Sequence, residues 1–152
     1  MEARDFGSVA MIVTTDFEAM YAYKRGDYQQ CLQLSTQNVR TLLSGDFMQG
    51  VLLLPEFIQL MDDDIVSLTA LTLIVNPKCR DLGRYCKITQ VTLSLYLMTQ
   101  CQLKLHHSVT SLSLTLDYIE VAQRRHPADW TFNHLMLKLS ERKILIHLAS
   151  IM

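Results

Sequence analysis

Apolar residues recur along most of this chain at spacings of three and four, the pattern of helices with one buried side. Thr15-Asp16-Phe17-Glu18 sets a Thr three residues before a Glu, the capping-box arrangement that satisfies free amides at a helix start. A first helix is expected from there to about Arg25. Gly26 suits a tight turn because it takes positive φ without penalty, and Asp27 suits the cap of the next helix. Cys31, Leu34, Asn38 and Leu42 carry that second helix to about Leu43. Gly45-Asp46-Phe47 repeats the Gly-Asp-aromatic punctuation 19 residues after Gly26, which predicts another turn and another helix.

Between residues 49 and 76 the pattern is mixed. Pro55 fits the first turn of a helix, and Asp62-Asp63-Asp64 places negative charge where a helix start favours it. Val66, Leu68, Leu71, Leu73 and Val75 alternate with polar residues, so a buried strand stays open beside the preferred helix. Asn76-Pro77 ends the element either way, since the residue before proline is pushed out of helical geometry. From Asp81 to Leu103 two apolar stripes appear. Ile88, Val91, Leu95 and Met98 form one, and Leu93, Leu97 and Cys101 the other. A helix apolar on two sides is packed on both, which predicts a central helix.

His106-His107 marks a bend or a helix start. Leu105, Val109, Leu112, Leu116 and Ile119 then form a helical seam, although the period-two alternation of residues 111–116 leaves a strand as the second choice. His126-Pro127-Ala128-Asp129 makes a turn and a cap. The last helix runs from Trp130 almost to the end, with Thr131, His134, Lys138 and Glu141 as its polar stripe. The chain stops at Ile151-Met152 straight after an apolar turn. That ending suits either a fragment of a longer helical-repeat protein or a terminus packed against something. With 152 residues and no Pro-, Gly- or Ser-rich linker, residues 1–152 read as a single helical domain.

Composition sharpens this. Hydrophobic residues make up 49% and charged residues only 19%, so apolar surface should be either exposed or covered by another chain. A formal net charge of −1 and a pI near 6.5 give no electrostatic footprint for nucleic acid. The longest stretch free of Asp, Glu, Lys and Arg, Ile88–Leu103, has 16 residues and is interrupted by Thr, Ser and Gln, so no membrane span is expected. The N-terminal residues lack the basic start and apolar run of a secretory signal. Cys31, Cys79, Cys86 and Cys101 show no C-x-x-C spacing, and reduced thiols in cytoplasm or nucleus are the expectation.

Catalytic and metal chemistry find little footing. Cys79, Cys86, Cys101, His106 and His107 fall within 29 residues and are zinc-ligand types, but without a short chelating pair. The phosphate-loop, dinucleotide and H-E-x-x-H motifs are all missing, and five glycines leave little for a phosphate-cradling loop. No catalytic residue, metal or cofactor is expected. The rival reading is a small metal-dependent or Cys/His enzyme built on the Cys79–His107 region. Arg80-Arg84-Lys87 and Arg124-Arg125 read as solvated helix ends, which the helix dipole favours.

Ala19, Ala22-Tyr23-Lys24-Arg25-Gly26-Asp27-Tyr28 and Cys31-Leu32 resemble the central part of a tetratricopeptide (TPR) repeat, over about residues 15–43. The family pattern of an aromatic, a basic residue and Gly-Asp-Tyr is met. The pattern departs at Thr15, where a large aromatic is usual, and no second copy follows near Leu60. The resemblance implies small contact positions at Ala19 and Cys31, and aromatic positions at Tyr23 and Tyr28. It also implies a ligand-facing side bearing Asp16, Met20, Tyr23 and Lys24.

The expected architecture is therefore all-α, with antiparallel helix pairs in a TPR-like or irregular array. The expected function is a protein-interaction scaffold or subunit of a multiprotein assembly. Its partner would be another protein, an amphipathic helix or peptide, or a second copy in a self-associating structural protein. Trp130, Phe132, Leu135, Met136 and Leu139 on the last helix are the first candidates for a protein contact, because large aromatic and aliphatic anchors dominate interface energetics. Their competing role is to close the core of the chain itself.

Overall fold

The computed structural model describes residues 18–44, 50–51, 88–128 and 130–151. Five helices account for nearly all of them: α1 over residues 18–24, α2 over Tyr28–Ser44, α3 over Gln90–Lys104, α4 over Val109–Arg125 and α5 over Thr131–Ile151. Strand β1, Gly50–Val51, pairs antiparallel with β2, Ile88–Thr89, with Gly50 opposite Thr89. The described part is all-α, as the apolar spacing predicts. Among the described residues no helix is long and apolar enough to cross a membrane. The expectations for Gly45-Asp46-Phe47, for residues 52–87 with Pro55, Asp62-Asp63-Asp64, Asn76-Pro77 and Arg80-Arg84-Lys87, and for Asp129 concern residues outside the described set.

The α1–α2 turn follows its local chemistry. Gly26 adopts φ +82°, its N–H donates to Tyr23 O at 3.0 Å, and the Asp27 N–H donates to Ala22 O at 2.9 Å. This pair of bonds is a Schellman motif, which satisfies carbonyls that the end of α1 would leave open. Asp27 then caps α2, its Oδ1 accepting from the Gln30 N–H at 3.2 Å. Tyr23 and Tyr28 pack edge to face across the turn, ring centroids 5.7 Å apart. A Cβ at Gly26 would meet nothing within 4 Å, so the obstacle to a side chain is the backbone angle alone. Gly26→Val is expected to cost about 1–2 kcal/mol, the penalty of a left-handed L-residue. Chemical denaturation checks it, and an unchanged midpoint would remove the glycine requirement.

The α3–α4 turn solves the same problem without glycine. His106 sits at φ 55°; its N–H donates to Leu103 O at 3.3 Å and the His107 N–H to Gln102 O at 3.0 Å. Ser108 caps α4, accepting from the Ser111 N–H. His106→Gly should relieve left-handed strain and stabilise the chain by about 0.5–1 kcal/mol, less than the full penalty because glycine also loosens the unfolded state. A lower melting temperature for that variant would contradict this.

Helix α3 is the axis of the packing. It contacts α2, α4 and α5, and 13 of its 15 residues are buried. The two apolar stripes predict this central place. The helix begins at Gln90, however, later than the expected Asp81. Thr89 is extended (φ −78°, ψ 154°) and accepts from the Thr92 N–H, ending β2 and starting the helix in one residue. Polar residues on α3 are buried too, and two of its glutamines are matched by its neighbours, whereas the Thr99 hydroxyl is buried without a hydrogen-bond partner. Gln100 Nε2 donates to the Tyr23 hydroxyl at 3.2 Å, and the Thr115 hydroxyl donates to Gln102 Oε1 at 2.6 Å.

Helices α4 and α5 pack against each other as a hairpin, with His126 and Pro127 in the turn that follows α4, as expected. The strand alternative for 111–116 fails. The seam of α4 is rotated from the expected one: Leu112, Thr115, Ile119 and Ala122 are buried, Leu105 and Leu116 are half-buried, and Val109 is exposed. The bond from Thr115 to Gln102 draws that polar residue inward and turns Val109 out. Arg124 and Arg125 occupy the last turn of α4, where Arg124 lies 3.7 Å from Glu120 on the open surface, a contact of little energetic weight.

Candidate functional site

Three arrangements carry chemistry or binding capacity. The first is a buried polar cluster where β2, α3, α4 and α5 meet. Thr89, Thr92, His126 and Asn133 are all buried there, and none is more than 5% exposed. His126 follows α4 and lies within a turn of its own helix end, so Nδ1 donates back to Ala122 O at 2.6 Å. That assigns the proton to Nδ1 and leaves Nε2 as an acceptor for the Thr89 hydroxyl at 2.7 Å. The Thr92 hydroxyl lies 2.7 Å from Thr89 Oγ1, and Asn133 Oδ1 accepts from the Thr89 N–H at 2.9 Å. Trp130 and His134 stack edgewise on the imidazole, with centroids 5.8 and 6.2 Å away.

A hydroxyl donating to an imidazole can serve nucleophilic catalysis, given access. Here Thr89 is 1% exposed and its oxygen already accepts from the Thr92 N–H. The cluster therefore acts as a clamp joining three helices. Burial pushes the His126 pKa down, the bond to Ala122 opposes this, and His134 adds to the lowering. Below the ordinary value of 6.5 the unfolded chain takes up a proton that the folded chain resists, so stability falls as pH drops through that value. Urea midpoints measured from pH 8 to pH 5 should be flat at the upper end and decline from about pH 6.5. A flat profile throughout would mean that His126 is not held neutral.

The second arrangement is a pair of thiols between α2 and α3. Cys31 and Cys101 are both fully buried and hydrogen-bond to each other, with Cys31 Sγ also 3.9 Å from Ser35 Oγ. The hydrogen bond from Cys101 lowers the Cys31 pKa against the opposing effect of burial. The same bond and burial push Cys101 up, so Cys31 ionises first.

The third is an uncovered apolar surface. Six large apolar side chains are exposed among the described residues, and five of them are Val109, Leu114, Leu145, Ile146 and Ile151. Val109 and Leu114 open α4, while the other three close α5. In a hairpin the start of the first helix lies beside the end of the second, so these five gather at the end away from the turn. The cause is local. Residues 144–146 and 148–149 are apolar at nearly consecutive positions, which places apolar groups on every side of α5. Ile144 is buried and Leu148 half-buried, whereas Leu145 is 50% and Ile146 63% exposed.

The residues singled out in the sequence fall differently. Asp16 lies outside the described residues. Met20 is buried, Tyr23 is half-buried against Gln100, and Lys24 is exposed. On α5 and its approach, Phe132 and Met136 are buried in the core, while Trp130, Leu135 and Leu139 are half-buried. Phe132 and Met136 thus close the core of the chain itself, and the exposed apolar surface lies further along the helix. Ala19 and Cys31 are fully buried small residues. Of the Cys79–His107 set, Cys79 and Cys86 lie outside the described residues. Cys101 faces Cys31, and His106 and His107 lie on the α3–α4 turn. Among the described residues no three His, Cys, Asp or Glu side chains come together as a metal site. A cavity of about 420 Å³ opens on the polar side of α2, lined by Gln33, Thr36, Gln37, Arg40 and Thr41.

Sequence reasoning missed the clamp. Its available signals were Asn133 set inside an apolar helical run, and Thr89 and Thr92 at the N-cap spacing. No protein-family model matches the sequence, and no curated protein or solved structure matches it either.

Proposed function

We propose that this chain is a non-catalytic interaction module, a scaffold or subunit of a multiprotein assembly that buries apolar helix surface against another protein or an amphipathic helix. What carries the reading is the gathering of Val109, Leu114, Leu145, Ile146 and Ile151 at one end of the α4–α5 hairpin. Isolated exposed aliphatic residues are ordinary, but a grouped set marks an interaction surface. Desolvating these side chains supplies the binding energy, and the neighbouring Arg142, Lys143 and Ser150 supply a polar rim. The TPR-like helix pair at the N-terminal side would be the supporting frame, stiffened by the Gly26 turn. Two buried free thiols suit a reducing compartment such as cytoplasm or nucleus.

The test is the double variant Leu145→Glu/Ile146→Glu, compared with the parent by quantitative co-purification and by light scattering over a range of concentrations. The variant should keep its helical content and lose the stoichiometric partner that the parent retains. Equal recovery of partners by both chains would sink the reading. If the parent instead forms a concentration-dependent oligomer that the variant does not, the partner is a second copy of the chain.

A further inference from the structure

We propose that the uncovered end of the α4–α5 hairpin takes an acidic amphipathic helix, one that sets Asp and Glu beside its apolar anchors. The proposal rests on the reading above that this end is an interaction surface, and it names the chemistry of the partner. Apolar contact alone does not choose between partners, whereas the charge beside it does. Residues 104–116, which end α3 and open α4, contain Lys104, His106 and His107 and no Asp or Glu. Residues 142–151, the second half of α5, contain Arg142, Lys143 and His147 and again no acid. Over the whole chain 14 Lys and Arg stand against 15 Asp and Glu, yet three of the 14 and none of the 15 fall in these two stretches. With histidines counted as neutral, a charge of +3 is gathered here in a chain whose net charge is −1.

Topology brings the two stretches together. Helix α3 ends at Lys104, the following turn leads straight into Val109, and α5 closes beside the start of α4. On α5, Arg142 precedes Leu145 and Ile146 by three and four residues, so the three share one side of the helix, and all are exposed. Lys104 is exposed as well. The nearest acids in sequence, Asp117 and Glu141, lie on the side toward the α4–α5 turn. The same charges argue against two other occupants. A second copy docked here by two-fold symmetry brings like charges together, which costs free energy. Anionic membrane surfaces are read by clusters of about four to eight Lys and Arg, and only three are present here. An acidic helix meets the three positive charges and covers the aliphatic side chains in one contact.

The test uses two labelled helical peptides with the same leucines at i, i+3, i+4 and i+7, one with Glu and the other with Lys at the flanking positions. Their binding to the whole chain is read by fluorescence anisotropy at about 0.05 M and about 0.5 M salt. At the lower salt the Glu peptide should bind about tenfold more tightly, roughly twofold for each of the three basic side chains. Most of that margin should vanish at the higher salt. Lys104→Glu/Arg142→Glu, both at exposed positions, should keep the helical content and abolish the preference. Leu145→Ser/Ile146→Ser should weaken both peptides alike. Equal binding of the two peptides, with both weakened by the serine variant, overturns the charge assignment and leaves the interaction surface standing. A preference for the Lys peptide overturns the proposal, as does capture of the chain by phosphatidylserine vesicles in place of the Glu peptide. Binding of neither peptide overturns it too, and the co-purification comparison then decides the proposed function separately.

Discussion

Leu95→Ala is expected to lower folding stability by about 3–5 kcal/mol, with a fall in melting temperature of about 10 °C. Leu95 is fully buried on α3, and that helix is covered by α2, α4 and α5. Truncation there removes apolar surface from the core and leaves a void that three packed neighbours cannot collapse to fill. Leu145→Ala, the same chemical change on a residue 50% exposed, should cost no more than about 0.5–1 kcal/mol in the isolated chain. Urea denaturation of the two variants gives the comparison directly. Equal losses would mean that Leu145 is as deeply covered as Leu95, which would also remove the surface on which the proposed function rests.

Asn133→Leu should cost about 2–4 kcal/mol, although leucine has the same branched four-atom outline as asparagine and is itself apolar. The side chain is 1% exposed, and its Oδ1 is the acceptor for the Thr89 N–H. Leucine leaves that buried amide with no side-chain acceptor. It also removes the group that holds Thr89 in position to cap α3 and to donate to His126. The loss should appear as a lower urea midpoint with an unchanged slope. Weakened hydrogen-exchange protection at the start of α3 should accompany it. A loss below about 0.5 kcal/mol would show that Thr89 finds another acceptor and that the clamp is dispensable.

Much of the fold was legible because it rests on short-range rules. The Gly26 turn, the Asp27 cap, the α4–α5 turn near Pro127 and the extent of α5 each follow from residues within a few positions of one another. The central place of α3 was legible from its two apolar stripes. Less was legible where a helix had to choose its rotation. The α4 seam was expected at Val109 and Leu116, and the buried line instead runs through Thr115 and Ala122, because Gln102 offers Thr115 a partner. The same limit applies to the interface candidates. Phe132 and Met136 were chosen for their size, and they are buried in the core.

By itself, then, the sequence determined that the described part of the chain is helical, where most of its helices begin and end, and which of them is the axis. It also determined that few residues, 19%, carry charge with which to cover the surface. Only the tertiary structure decided which leucines are core and which are uncovered. It also decided that Asn133 reaches Thr89 and that Cys31 meets Cys101. The reason is one of range. Periodicity, capping and turn angles are properties of a few neighbouring residues. Contacts across 44 or 70 positions depend instead on the depth and rotation at which whole helices dock. Those are set by the sum of many weak packing and hydrogen-bonding terms, none of which is visible in a local stretch of chain.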